Sequence, residues 1–233
     1  MVSGKIDVLD CAAGSVATVF AVVPVAGGWA IVRIDGTTAK TEAIESWDLT
    51  RDIAHLECNA APVIARIADA DGRAGALLGS YLAVALAADS IGGADAIARK
   101  TVEYMKERVQ FDRPVASFQA LRHRAADHIA HVTTQQALLE QAVQSLDHGS
   151  PDAAMWARLS KAGASDAFVF VAKDCIQLHG GVGHTWEYDP QIYIKRARLN
   201  EALLCNNRAA RDTAVRLLDE ALDQGRTTTE IDW

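Results

Sequence analysis

Residues 175–189, Cys-Ile-Gln-Leu-His-Gly-Gly-Val-Gly-His-Thr-Trp-Glu-Tyr-Asp, place an amide side chain, three glycines and two aromatic rings within one short stretch. An apolar-periodic segment, residues 151–178, runs into it, and Gly180, Gly181 and Gly183 break the period. Glycine permits positive φ and lets another backbone or a ligand come close. One glycine is enough to close a helix with a left-handed residue. Three of them, with Gln177 one turn upstream and Trp186 and Tyr188 behind, also suit a ligand loop. From this stretch alone both readings stand. A second stretch bears on the choice: residues 108–119, Arg-Val-Gln-Phe-Asp-Arg-Pro-Val-Ala-Ser-Phe-Gln, with residues 111–117 reading as a loop.

Composition and pattern define the elements that must hold these stretches. The chain has 233 residues, 50% hydrophobic and 23% charged. That supports a sizeable core and excludes global disorder. A formal net charge of −7 argues against a nucleic-acid protein, whose affinity comes from neutralising phosphates. The longest apolar run, residues 74–88, falls short of the roughly 18 to 20 residues a membrane span needs, so no span is expected. The first residues, Met-Val-Ser-Gly-Lys-Ile-Asp, have no apolar signal core, and a cytoplasmic location is the default expectation. Cys11, Cys58, Cys175 and Cys205 are far apart and form no CxxC pair. They read as buried small residues, not as disulfides or metal ligands, and no metal site is expected.

Residues 1 to about 65 read as β, with first strands that lack obvious partners. Residues 16–23 form a β-branched run ended by Pro24 and the Gly27-Gly28 pair, and residues 29–34 form another. Asp35-Gly36 reads as a hairpin turn, with residues 38–44 returning. Residues 55–63 could supply one more strand. Composition changes near Arg66. From residue 75 to 108 apolar residues recur at helical spacing, including Leu77, Leu78, Tyr81, Leu82, Ala85, Ile91, Ile97 and Met105. Gly92-Gly93 inside this segment suggests a close helix crossing. Ser117 or a neighbour caps a second helix reaching Leu146, and Asp147-His-Gly-Ser150 ends it. Ser150-Pro151 reads as N-cap and first residue of a third helix. Asp189-Pro190 repeats the device for a fourth, broken near residues 203–207. The expectation is a mainly α fold: a partial antiparallel β-domain (1–65), a four-helix bundle (66–224) and a loose polar tail (225–233).

The two stretches together resemble the C-terminal domain of flavin-dependent acyl-CoA dehydrogenases. That family carries Arg-x-x-Phe-Gly, then Phe-Gln, then Gln-x-x-Gly-Gly-x-Gly about two helices later. The resemblance covers residues 4–222, with Asp112 in place of the glycine after the phenylalanine. It implies FAD bound across a subunit interface, the bundle of one subunit meeting the dinucleotide end of its neighbour's flavin. Carried over by position, Arg108 would meet the pyrophosphate, for which its forked guanidinium is suited. Phe111 and Gln119 would line the same groove, and Gln177, Gly180 and Gly181 would let backbone approach. On its own, Arg108 would equally read as a helix-end cation favoured by the dipole.

The departures from the pattern shape the functional expectation. The family's usual catalytic glutamate falls at Leu204, and the alternative seat of a minority of members at Leu82, next to Ala83. Leucine cannot take a proton. Glu201 is the remote remaining candidate, and otherwise faces solvent or pairs with Arg198 or Arg208. The strand that would flank the flavin ring reads Lys5-Ile-Asp7-Val-Leu9, and neither the family's first helical domain nor its ring-cradling loop has a counterpart. The resemblance therefore implies a subunit without its own base that completes a partner's FAD site. The partner is a second acyl-CoA dehydrogenase subunit or a second copy, and it binds most of the acyl-CoA. Bulky thioesters such as steroid side chains are the implied substrates. Two alternatives stay open: an oligomerising relic that binds no flavin, and a fragment of a longer active enzyme.

Overall fold

The computed structural model describes residues 1–9, 18–26, 28–69 and 71–227, with the side chains of 6–9 and 68 outside the description. Two compact units divide at Leu78/Gly79.

In the first unit, six strands form two antiparallel three-stranded sheets: β1 (Val2–Leu9), β5 (Ile53–Ala61) and β4 (Lys40–Ile44) in one, β2 (Thr18–Val25), β3 (Gly28–Asp35) and β6 (Val63–Asp69) in the other. Alternation along β3 buries Ala30, Val32 and Ile34. These pack with Leu56 and Cys58 of β5 and Ala61 into one core, the period-2 outcome expected of half-buried strands. Two expectations are corrected. The first strand has a partner, since β1 pairs with β5 from Val2↔Ala61 to Leu9↔Ile53. Asp35-Gly36 does not close a hairpin, because β3 and β4 lie in different sheets. The Asp35 Oδ1 accepts from the Thr37 N–H at 3.0 Å and caps a 3₁₀ turn, Gly36–Thr38. A tight hairpin turn would need positive φ at both positions, and Asp35 is at −69°.

The second unit is built around α3 (Ala153–His179), most of whose residues are buried. It packs against α2 (Gln119–Asp147), α4 (Pro190–Ala202) and α5 (Asn207–Asp223). The remaining helix, α1 (Arg73–Glu107), starts in the first unit and contributes Ala87, Ile91, Ala94, Ile97 and Ala98 to a core with Ala164, Phe168, Val171 and Cys175. The expected four-helix bundle is thus observed, with the fourth helical region broken at residues 203–206. Gly93 sits at the helix crossing, where an added Cβ would lie 2.4 Å from the Phe168 Cζ, but Gly92 meets nothing within 4 Å.

Several local readings shift. The apolar stripe at Leu77, Leu78, Tyr81 and Leu82 is exposed, and smaller residues such as Ser80, Ala83 and Ala87 are buried instead. The long alanine-rich α1 is also apolar and long enough to cross a membrane by length and composition, a test that the core helix of a bundle passes equally. Its Ala, Ile and Ser residues instead supply one side of the bundle core. The start of α2 has Phe118 as N-cap with no side-chain cap, not Ser117. The start of α3 has Asp152 there, two residues past Ser150. Asp189-Pro190 does open α4. In the tail, Arg226 is tied to Asp152 by bonds of 2.6 and 2.5 Å. The expected positions Cys11, Val16, Ala17 and Gly27, and the side chains of Asp7 and Leu9, lie outside the described residues.

Candidate functional site

The three glycines after α3 have three different reasons to be glycine. Gly183 is buried, and a Cβ there would lie 2.6 Å from the Ile176 carbonyl oxygen. Gly180 closes α3 at φ 68°, ψ −144°, a conformation side chains resist. Gly181 has neither reason: it lacks positive φ, and nothing stands within 4 Å of an added Cβ. Its open side is solvent, beside the exposed Gln177 and Gly180.

The second stretch folds into a small hairpin between α1 and α2. Strands β7 (Val109–Gln110) and β8 (Arg113–Pro114) pair through Val109↔Pro114 and Gln110↔Arg113. Phe111 and Asp112 form the two-residue turn at φ 55° and 61°, the left-handed pair such a turn demands. Asp tolerates that conformation better than most residues, which explains how it stands where the family pattern has glycine. Phe111 is 86% exposed, edge-on to Phe118 with centroids 6.1 Å apart. The Arg113 guanidinium lies 4.0 Å over the Phe118 ring. The Arg108 backbone continues α1 through its N–H to the Tyr104 carbonyl and accepts from the Val115 N–H. Its exposed guanidinium has no protein partner among the described residues.

The structure thus brings Arg108, Phe111 and Gln119 together on one exposed connection, and Gln177, Gly180 and Gly181 on the end of α3. No hydrogen bond or ring contact joins the two groups among the described residues.

The two positions read from the sequence as seats of the family's base, Leu204 and Leu82, are exposed at 43% and 47%. Leu204 has φ 64°, which is uncommon for a bulky residue. Glu201 is in the last turn of α4, paired with Arg198 at 2.8 Å. Beneath this loop lies Lys161, a residue that the sequence analysis passed over. It is 0% exposed and donates from Nζ to the Glu201 carbonyl (3.0 Å), the Cys205 carbonyl (2.6 Å) and Asn207 Oδ1 (3.0 Å). All three ammonium donors are satisfied, although burial pushes its pKa down. The signal was present: Lys161 falls on the apolar face of α3, four residues from Ala157 and three from Ala164.

A second buried polar group binds α2 to α3. Arg124 and His128 both engage Asp174, Arg124 through two bonds and His128 Nε2 at 2.7 Å. Burial pushes the Asp174 carboxyl up, but these hydrogen bonds outweigh it and hold its pKa low. Cys175 Sγ lies 3.9 Å from His128 Nδ1, so thiol, imidazole and carboxylate stand in the order of a nucleophile relay. Burial pushes the thiol up to about 11, and it is 0% exposed. A reactive cysteine needs thiolate character and access, so this group is a structural tie. Asp89 similarly holds Arg196 through two bonds and Asn200 at 2.6 Å, linking α1 to α4.

Comparison with known proteins identifies the fold. The model of the acyl-CoA dehydrogenase C-terminal domain matches residues 80–222. The chain belongs to the acyl-CoA dehydrogenase family. It is 44% identical over 122 residues to acyl-CoA dehydrogenase IpdE2 of Mycobacterium tuberculosis, covering 52% of this chain and 36% of that one. Among solved structures, a Tcur3481-Tcur3483 steroid acyl-CoA dehydrogenase superposes with a TM-score of 0.82 at 24% identity, over 95% of this chain and 60% of that one. The ChsE4-ChsE5 complex from Mycobacterium tuberculosis gives 0.78 at 24%, over 97% and 60%. The chain therefore spans about a third of this curated acyl-CoA dehydrogenase relative and three fifths of the two structures.

Proposed function

We propose that this chain is a subunit of an acyl-CoA dehydrogenase assembly that lacks its own base and completes a partner's FAD site. The observation carrying this reading is a contrast. The dinucleotide motif is kept and exposed, its Arg108 guanidinium without a protein partner among the described residues, while both base seats are leucine.

The residues present fit a dinucleotide. Arg108 offers a forked donor set to pyrophosphate oxygens. Phe111 stands out from a conformationally fixed turn and gives an apolar surface beside it. Gln119 and Gln177 add exposed amides, and Gly181 leaves its backbone approachable where no packing or φ requires glycine. When bound, FAD supplies the hydride acceptor for α,β-dehydrogenation of an acyl thioester. This chain's residues bind and orient the dinucleotide end. The α-proton needs a carboxylate close to the substrate, and Leu204 and Leu82 provide none, so that group comes from the partner. Names of related structures, a Tcur3481-Tcur3483 steroid acyl-CoA dehydrogenase and a ChsE4-ChsE5 complex, support a heteromeric assembly, with a steroid acyl-CoA as the substrate class.

Co-expression with a base-bearing acyl-CoA dehydrogenase subunit tests this. The expected result is a yellow co-purifying complex that oxidises acyl-CoA, while the chain alone with added FAD and an artificial acceptor does not. Arg108→Ala removes a charged hydrogen bond of about 1.5 to 3 kcal/mol, a drop in FAD affinity of roughly ten- to a hundredfold. Turnover by the purified chain alone would overturn the reading.

A further inference from the structure

The second unit carries a groove that none of the proposed dinucleotide residues lines. It measures about 540 Å³ and lies between the C-terminal half of α1 and the residues leading into α4. That volume falls within the roughly 300 to 1,000 Å³ of small-ligand sites. Three rings build its wall. Tyr104 stacks on His179 with centroids 4.2 Å apart and planes 17° apart. Tyr188 stands edge-on to Tyr104 at 5.6 Å.

The hydrogen bonds of the wall leave the imidazole of His179 with an unused acceptor. The Tyr104 hydroxyl donates to the His179 carbonyl at 3.3 Å. His179 Nδ1 lies 2.8 Å from the Cys175 carbonyl and must donate there, so the neutral ring carries its lone pair at Nε2. His179 is 93% buried, being 7% exposed, and Nε2 has no protein partner among the described residues. Among the charged lining residues, Arg99 is held by Asp95 at 2.7 Å, Glu103 by Lys106 at 2.7 Å, and Lys100 by Asp189. Glu107 and Glu187, also in the lining, have no cationic partner among the described residues. The groove therefore combines aromatic faces, an unused imidazole acceptor and two uncompensated carboxylates.

We infer that this groove binds an organic cation, a guanidinium or alkylammonium group on a short apolar stem. The aromatic faces attract the cation through their quadrupoles, the two glutamates compensate its charge, and Nε2 accepts one of its N–H groups. Four carboxylates against two cations in the lining disfavour an anion, and a neutral apolar ligand leaves Nε2 and the carboxylates unused. The same chemistry is offered by a free polyamine-like molecule and by an arginine side chain of a partner chain.

Agmatine is the probe, titrated into the full chain while the ring resonances of His179, Tyr104 and Tyr188 are followed by NMR. All three should shift together and saturate. The double variant Glu107→Gln/Glu187→Gln should weaken binding about tenfold. Both side chains are exposed and hold no cation, so the fold should not depend on their charge. Tyr188→Ala should weaken binding through loss of a cation-facing ring, leaving the residual binding sensitive to the same glutamates. N-acetylarginine amide separates the sources. Binding equal to that of agmatine assigns the groove to a partner's arginine, and agmatine binding about tenfold tighter assigns it to a free diamine. Linear shifts that never saturate, an unchanged affinity in the double glutamine variant, or an equal response to glutarate would each overturn the assignment. None of these readouts involves flavin or turnover, so failure here leaves the flavin reading untouched.

Discussion

The adjacent glycines of α1 give a test whose two halves carry opposite signs. A Cβ at position 93 would lie 2.4 Å from Cζ and 2.8 Å from Cε1 of Phe168. Carbon atoms rest at about 3.5 to 4.0 Å, so the ring would have to retreat by about 1 Å. Phe168 is fully buried, edge-on to Tyr193 and packed in the core with Ile97 and Ala164, so it has nowhere to go. Overpacking of this kind costs about 1 to 3 kcal/mol. Replacing a helical glycine by alanine recovers about 1 kcal/mol of propensity. Gly93→Ala should therefore range from neutral to about 2 kcal/mol destabilising. Gly92→Ala keeps the propensity gain and meets nothing, so it should stabilise by about 0.5 to 1 kcal/mol. Since both variants share the propensity term, their difference isolates the overpacking at Phe168, about 1 to 3 kcal/mol. Urea unfolding followed by helical circular dichroism reads this difference. In a chain of this size it corresponds to roughly 2 to 12 °C between the two melting temperatures. Equal shifts for the two variants, or a Gly93→Ala protein more stable than Gly92→Ala, would refute the crossing geometry.

The buried polar groups give further expected outcomes. Lys161→Met should leave the Glu201 and Cys205 carbonyls without their donor, destabilising the chain by about 1 to 3 kcal/mol in denaturant. Left-handed backbone at a non-glycine residue costs of order 1 to 3 kcal/mol, so Leu204→Gly should stabilise the wild type and lose that gain in the Lys161→Met background. An equal gain in both, measured as a double-mutant cycle, would show that the clamp does not impose the strain. Asp174, its pKa depressed in the fold, adds stability that is complete above its ordinary value of 3.8 and is lost as pH falls through the folded value. Asp174→Asn should therefore lower stability at neutral pH and flatten this part of the acid limb of a stability–pH curve, whereas an unchanged limb would mean Arg124 and His128 do not hold the carboxylate.

How much the sequence disclosed depended on whether a feature was written in pattern or in context. The end of α3 was legible because three glycines interrupt a clear apolar period. The broken fourth helix was legible because Asn206 caps α5, its Oδ1 accepting from the Ala209 N–H at 2.8 Å. The stripe of Leu77, Tyr81 and Leu82 misled for a physical reason. Periodicity reports that one face of a helix is apolar, not that the same chain covers it. In α1 the buried positions are the small residues Ser80, Ala83 and Ala87, and the large residues are left outside. Asp35-Gly36 misled because a turn dipeptide fixes local backbone only, while sheet membership is decided by which strand's apolar face completes the core.

The candidate site shows the same separation between backbone and chemistry. The loop at residues 203–206 is shaped by its surroundings. Lys161 grips the carbonyls on either side of Leu204, Asn206 caps α5, and none of these contacts uses the side chain at 204. That side chain is exposed and free to vary without loosening the loop, so on the proposed reading the loop keeps its form without a group that takes a proton. The residues proposed to meet a dinucleotide are built in the converse way. Arg108, Phe111 and Gly181 have no structural task inside this chain that requires their identities: an unpaired guanidinium, an exposed ring on a turn any Asn or Gly would make, and a glycine with open space around it. Nothing in the fold requires those three identities, and on the proposed reading a ligand approaching from outside the chain does.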